Sequence, residues 1–459
     1  MTNSQKFANS TRIILKALAN LALALLFILS VNLSALEYTY NFDLGYEDSN
    51  NLNQRVDGEA GQATDFGFGF NLTNSLQKEW DLDLTGRISR TNYSVDDLSD
   101  ETLKDIAGNA TYKSSTSNFS VTGLLNISQA PANRFQTQEV NNIRDQNVYA
   151  LMPSYFFMVN SSDRINASYT LVDFNIEGLD ANFQGAAGQA ASSLDQNLLI
   201  NYSKRLNATN AIAFNIRTGE IDFDDSIELG AVDYDRDDYF LSWSVTGQTN
   251  QMQVEFGRSK ITDVLSRTQE QDYQLFSFTR QLNRTNSLTL SYSNGFNNPI
   301  SNLQTGISVN QQNNNITAAQ EQKQYSLGYT LNGDFLSLNI NASEAEVRQS
   351  FTGNIENRQI VSVGLTYRFS RTLDSFGRSN ISLNYSKTDG EFESQLTNIQ
   401  NNNIENYSVA YNYVYSSNLV FSLSYQSRET TQIDITNSQS LTDSKSTFFT
   451  ISYSDRGRF

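Results

Sequence analysis

About twenty stretches of this chain alternate apolar and polar residues over roughly five to ten positions, and that repetition is the tightest constraint on its fold. The first runs from Tyr38 to Tyr46. Every even position there is apolar or aromatic, and every odd position is polar or glycine. Side chains in a strand alternate faces, so this is a strand with one greasy and one wet face. Roughly ten residues is what a tilted strand needs to cross a bilayer, whereas soluble strands are usually nearer five or six. Tyrosines at both ends suit the aromatic girdles of a membrane barrel.

The unit recurs at Phe66–Leu72, Tyr239–Val245, Val361–Phe369 and Tyr407–Tyr415, among others. The connections alternate in length. Long polar ones include Asp48–Thr64, Tyr93–Asp105, Thr218–Arg236, Ser259–Gln271, Gly295–Gln322, Glu344–Arg358 and Ser427–Ser444. Short ones include Ser114–Ser117, Asn160–Arg164, Leu206–Asn210, Gln281–Asn286 and Asn332–Asp334; Thr372–Ser379 is longer than the rest. Outer-membrane barrels put long loops outside and short turns in the periplasm. The sequence therefore predicts an all-β, transmembrane antiparallel barrel of about 20 strands, within roughly two, with both termini in the periplasm.

Met1–Ala35 reads as a signal peptide. Lys6, Arg12 and Lys16 precede an apolar run from Ala17 to Leu29, and small polar residues lead to Ala35. A membrane anchor is the alternative, but the run is short for a spanning helix. Residues 36–459 form the barrel domain. Its last strand keeps phase through Phe449, Ile451 and Tyr453 to Phe459, like the assembly signal that barrel-assembly machinery reads; Asp455 and Gly457 depart from the pattern.

The chain of 459 residues has no cysteine and no histidine. That removes disulfides, thiolate metal sites, Ser-His and Cys-His nucleophiles and most zinc sites. An enzyme is not expected, and no catalytic, cofactor or metal residues are nominated. The net charge of −17 argues against nucleic acid. The expected partners are outer-membrane lipid and lipopolysaccharide.

If the apolar face meets lipid, the alternate residues line the lumen. They include Thr39, Asn41, Asp43, Gly67, Gly69, Thr122, Asn126, Ser242, Ser244, Ser337, Asn339, Ser362, Thr366, Ser382, Asn384, Ser422 and Ser424. Arg87, Lys113, Arg217, Glu255 and Arg368 add scattered charges. An interior without packed, charged or apolar blocks is expected. Any occlusion would come from loops such as Gly295–Gln322. The acidic stretch Asp222–Asp225 with Asp233, Asp235, Asp237 and Asp238 could hold calcium, but it lacks a calcium-loop spacing and reads as a solvated loop. Gly67 and Gly69 are glycines of a strand face, not a phosphate loop, because no helix follows.

Leu36–Tyr40 followed by Leu44–Asn51, together with Tyr149–Tyr155 and its Pro153, resembles the β-barrel porins found beside exopolysaccharide and exosortase systems of Gram-negative bacteria. The resemblance implies an outer-membrane channel for passive diffusion or export of polar solutes, linked to surface polysaccharide. The alternative is a non-conducting structural or surface-interaction barrel whose long loops bind a partner.

Overall fold

In the computed structural model the chain forms one closed sheet of twenty strands. The structure describes residues 36–52, 58–74, 79–95, 98, 100–131, 143–176, 192–223, 233–297, 320–349, 355–369, 379–393, 400–433 and 439–458. The expected signal segment, the Gly295–Gln322 loop between 298 and 319, and Phe459 lie outside them. The strands are β1 (Glu37–Ser49), β2 (Gly61–Asn74), β3 (Trp80–Tyr93), β4 (Glu101–Lys113), β5 (Phe119–Pro131), β6 (Ile143–Met158) and β7 (Asp163–Ile176). Next come β8 (Ser193–Arg205), β9 (Asn210–Phe223), β10 (Tyr234–Thr246), β11 (Asn250–Asp263), β12 (Thr268–Gln281), β13 (Asn286–Asn297) and β14 (Gln320–Asn332). The last six are β15 (Leu336–Gln349), β16 (Ile355–Arg368), β17 (Asn380–Glu393), β18 (Gln400–Val414), β19 (Leu419–Ile433) and β20 (Gln439–Arg458).

Each strand pairs antiparallel with its sequence neighbours, and β1 pairs with β20 from Glu37↔Arg458 to Ser49↔Ser446. Closure leaves no edge strand. It also accounts for the two departures in the last strand. Asp455 accepts the Tyr40 hydroxyl at 3.3 Å and the Asn418 amide at 3.3 Å. A Cβ at Gly457 would run into the Tyr38 ring. The seam spends these two positions on seating the tyrosines of β1.

Register keeps one face of every strand on the same side of the wall. Phe42 lies opposite Phe68 and Ile451 opposite Phe421, each facing out. The outward face holds exposed Phe66 (57%), Trp243 (40%) and Leu423 (53%), and similar side chains occur on nearly every strand. A soluble monomer rarely exposes apolar patches beyond a few hundred Å². Aromatic pairs mark both ends of the band. Trp80–Tyr112 (4.8 Å between ring centroids) lies toward the short turns, and Tyr385–Tyr407 (4.9 Å) toward the long connections.

The strands outrun the alternation that reveals them. Ser259–Gln271, Glu344–Arg358 and Ser427–Ser444, expected as long loops, are mostly ladder: only 264–267, 350–354 and 434–438 separate the strands. Beyond the apolar band both faces meet water, so the period-two signal fades while backbone pairing continues. Likewise Asp222 lies within the end of β9, and Asp235, Asp237 and Asp238 sit inside β10. The contrast between long and short connections is therefore clear in the first half of the barrel and, 298–319 apart, weak in the second.

Three turns at the short end share one device. Asn160, Asn207 and Asn283 each accept two backbone N–H groups with the side-chain oxygen, at 2.8 to 2.9 Å. The side chain replaces hydrogen bonds that the tight reversal cannot make with its own backbone. Asn283→Ala removes two such bonds at an exposed site, with an expected cost of about 1–2 kcal/mol in folding free energy in lipid vesicles. An unchanged value would mean water satisfies these groups equally well.

Candidate functional site

A wall of twenty strands encloses more space than its own side chains fill, so the inner face is where chemistry can be presented. The inward residues match those expected: Thr39, Asn41, Asp43, Ser242, Asn339, Thr366, Asn384 and Ser422 all oppose the lipid-facing parity. Arg87, Lys113, Arg217, Glu255 and Arg368 face inward as well. The inner wall is not uniform, however.

On β1–β3 a single cation bridges two acids. Arg87 meets Asp65 at 3.0 Å and Asp43 at 3.7 Å. It reaches Asp43 across β2, because Gly67 and Gly69 leave the wall bare there. A Cβ at Gly67 would come within 3.1 Å of the guanidinium, and one at Gly69 would collide with Asn41. The two glycines make room for side chains lying flat against the wall.

On β8–β12 the inner face is packed, contrary to the open interior expected. Asp238, fully buried, lies between Arg236 (Nε at 2.9 Å) and Arg217 (Nη1 at 3.2 Å) and accepts the Ser259 hydroxyl. The acidic stretch thus places one carboxylate in a buried ion cluster. Asp233 accepts the Phe223 N–H at 2.7 Å, and Asp224 and Asp225 lie outside the described residues. Among the described residues no group of three or more acidic side chains is placed to hold a metal ion. Arg217 also stacks over Phe240 (5.6 Å), which packs on Tyr273 (4.8 Å), whose hydroxyl donates to Glu255 at 2.8 Å. Gly257 lies in register between Phe240 and Tyr273, and a Cβ there would collide with the Tyr239 carbonyl and Phe240. Farther round, Val148, Ala150, Val172 and Phe174 form an inward apolar cluster on β6 and β7, each 5% exposed or less. Their inward parity follows from that of Ser154 and Ser168 on the same strands.

The inner face of β14–β18 is open and uncharged over its middle rows. A recess of about 620 Å³ is lined by Asn339, Asn341, Ser362, Asn384, Asn406 and Ser408 with their neighbours. Gly364 forms its floor, between Asn339 and Asn384 in register. The side chains brace one another: Asn341 donates to Asn339 (3.0 Å), Asn384 to Ser408 (3.2 Å) and Asn406 to Ser386 (3.3 Å). Arg368, the nearest cation toward the short turns, donates to the Gly333 carbonyl at 3.3 Å.

No known family matches the sequence, and no curated protein matches it. Among solved structures, the chain is similar in outline to the FrpB iron transporter from Neisseria meningitidis. That pair shares 8% identity with a TM-score of 0.44, over 90% of this chain and 81% of that one. Pseudomonas aeruginosa OpdQ shares 9% with a TM-score of 0.39, over 92% and 99%. Pseudomonas aeruginosa OccK2, solved in complex with glucuronate, shares 11% with a TM-score of 0.41, over 92% and 98%. Likeness at this level says nothing of what this barrel carries; its own ladders and faces establish the closed twenty-stranded fold.

Proposed function

We propose that the protein is a channel in the Gram-negative outer membrane that passes polar solutes, and not an enzyme. The observation that carries this is the pairing of an apolar outer wall with an open inner wall of small, uncharged polar side chains on β14–β18. A lipid-facing band needs a membrane. Barrels of sixteen or more strands leave a lumen that is either a water path or plugged. Solutes would pass along β14–β18, because the inner faces of β6–β11 are buried toward the long connections. Purified protein in planar bilayers should give stepwise conductance. A barrel that stays closed even after deletion of 298–319 would overturn the channel reading.

One observation favours the second reading, a non-conducting surface-interaction barrel: Asp238, Phe174 and Ile261 face inward yet are 5% exposed or less, so part of the lumen is not free. Loss of surface binding on trimming the long connections, with no conductance before or after, would support it. The remaining expectations complete the proposal. Met1–Ala35 would be removed, leaving Leu36 as the first residue in a mass spectrum of protein from outer membranes. Lipopolysaccharide would surround the barrel, and assembly machinery would read the strand ending at Phe459. A link to surface polysaccharide rests on Leu36–Asn51 and Tyr149–Tyr155; unchanged surface polysaccharide in a deletion strain would remove it.

A further inference from the structure

We propose that the recess on β14–β18 is a weak binding site for neutral polyhydroxylated solutes of monosaccharide size, which it selects over cationic solutes. This rests on the channel reading and names what the channel prefers. The recess volume of about 620 Å³ falls in the range of small-molecule sites, about 300–1,000 Å³. Its concavity is built. Gly364 and Gly328 withhold side chains in two adjacent rows, and the amides of Asn341 and Asn384 stand against them, each 3.2 Å from where a glycine Cβ would lie.

The lining chemistry decides the class. A carboxamide offers two donors and an acceptor, and a hydroxyl offers a donor and an acceptor. Neighbouring hydroxyls on one solute can therefore exchange bonds with Asn339, Asn341, Asn384 and Asn406 in either direction. A cationic solute finds no counterion, since the charges at the recess are Arg368 in its lining and Arg428 of β19, in register with Asn406. Among the described inward residues of β14–β18, charge occurs only at Glu356 and Arg358 toward one end and Arg368 toward the other. Eight residues of strand separate Gly364 from Glu356, the inward acid of these strands, about 26 Å at the usual rise and beyond one screening length of about 8 Å. A cationic solute would thus give up water for neutral dipoles and guanidinium groups of its own sign. The recess also presents no inward aromatic platform, since Tyr385 faces lipid with Leu383. Binding is therefore weak enough to release the solute, as passage requires.

The test uses full-length protein in liposomes with two solutes of one carbon skeleton: glucose and glucosamine. Glucose should enter faster. Asn384→Leu, which keeps volume and removes the amide, should cut the glucose advantage about fivefold, the worth of one net hydrogen bond, while the heat-resistant migration of the folded barrel is retained. Equal or faster entry of glucosamine, or a glucose advantage unchanged in Asn384→Leu, would overturn the proposal. If neither enters, the channel reading fails. The recess is then decided by saturation-transfer NMR on the detergent-solubilised barrel. A glucose signal weakened by Asn384→Leu supports the site, and no signal, or one the variant leaves unchanged, rejects it.

Discussion

Asp238→Ala should destabilise the barrel by about 3–5 kcal/mol, the cost of stranding a buried charge by removing its partner. The carboxylate is fully buried and is the counterion of Arg236 (2% exposed) and Arg217 (12%). Without it, two guanidinium groups face each other with no acid between them, and the Ser259 hydroxyl loses its acceptor. Removing only the more accessible partner, as in Arg217→Met, leaves the Arg236–Asp238 pair intact and should cost much less. Replacing all three ions with apolar residues of similar volume should be close to neutral, because the desolvation penalty disappears together with the attraction. Urea-dependent unfolding in lipid vesicles measures all three variants. A cost below about 1 kcal/mol for Asp238→Ala would mean that water reaches the cluster and screens it. The packed wall on β8–β12 would then be open.

That cluster shows how far the sequence could be read. Parity alone assigned Arg217 and Glu255 to the lumen, and the structure agrees, because register leaves a side chain only two choices. The same parity carried backwards from Tyr239 puts Asp238, Arg236 and Tyr234 inside as well. The signal was present but lay beyond the apolar band, in a stretch whose acidity reads as loop. The partner was not legible. Arg217 meets Asp238 because β9 and β10 pair at that row, a fact of register between strands twenty-one residues apart. The recess was half legible. Asn339, Ser362, Thr366 and Asn384 were each assigned to the wall, but only the sheet shows that Asn339, Gly364 and Asn384 share a row. Parity puts Gly67 and Gly69 on the lumen face, but only the sheet shows that Arg87 and Asn41 lie where their Cβ atoms would be.

Leu365→Arg should cost roughly 2–4 kcal/mol, and Thr366→Arg much less. Leu365 lies opposite Leu338 and Leu383 in the adjacent strands, within a row of aliphatic side chains facing out. Tyr367 lies on the same face toward the short turns, and Val363 and Val361 lie toward the long connections. An arginine there must carry its charge into hydrocarbon or bend its chain toward an interface. Thr366 is its immediate neighbour on the opposite face. It shares a hydrogen bond with Ser382 at 3.1 Å and borders the recess. An arginine at that position gives up one neutral bond and extends into the lumen, where it shifts ion selectivity toward anions more than it shifts stability. Two adjacent residues with a severalfold difference in cost are what a wall one strand thick demands, with lipid on one side and water on the other. Folding free energies of both variants in the same vesicles decide it. Equal costs would mean that the inner wall of β16 is packed like that of β10, and the open path along β14–β18 would be lost. A larger cost at Thr366 would reverse the two faces and with them the membrane assignment of the barrel.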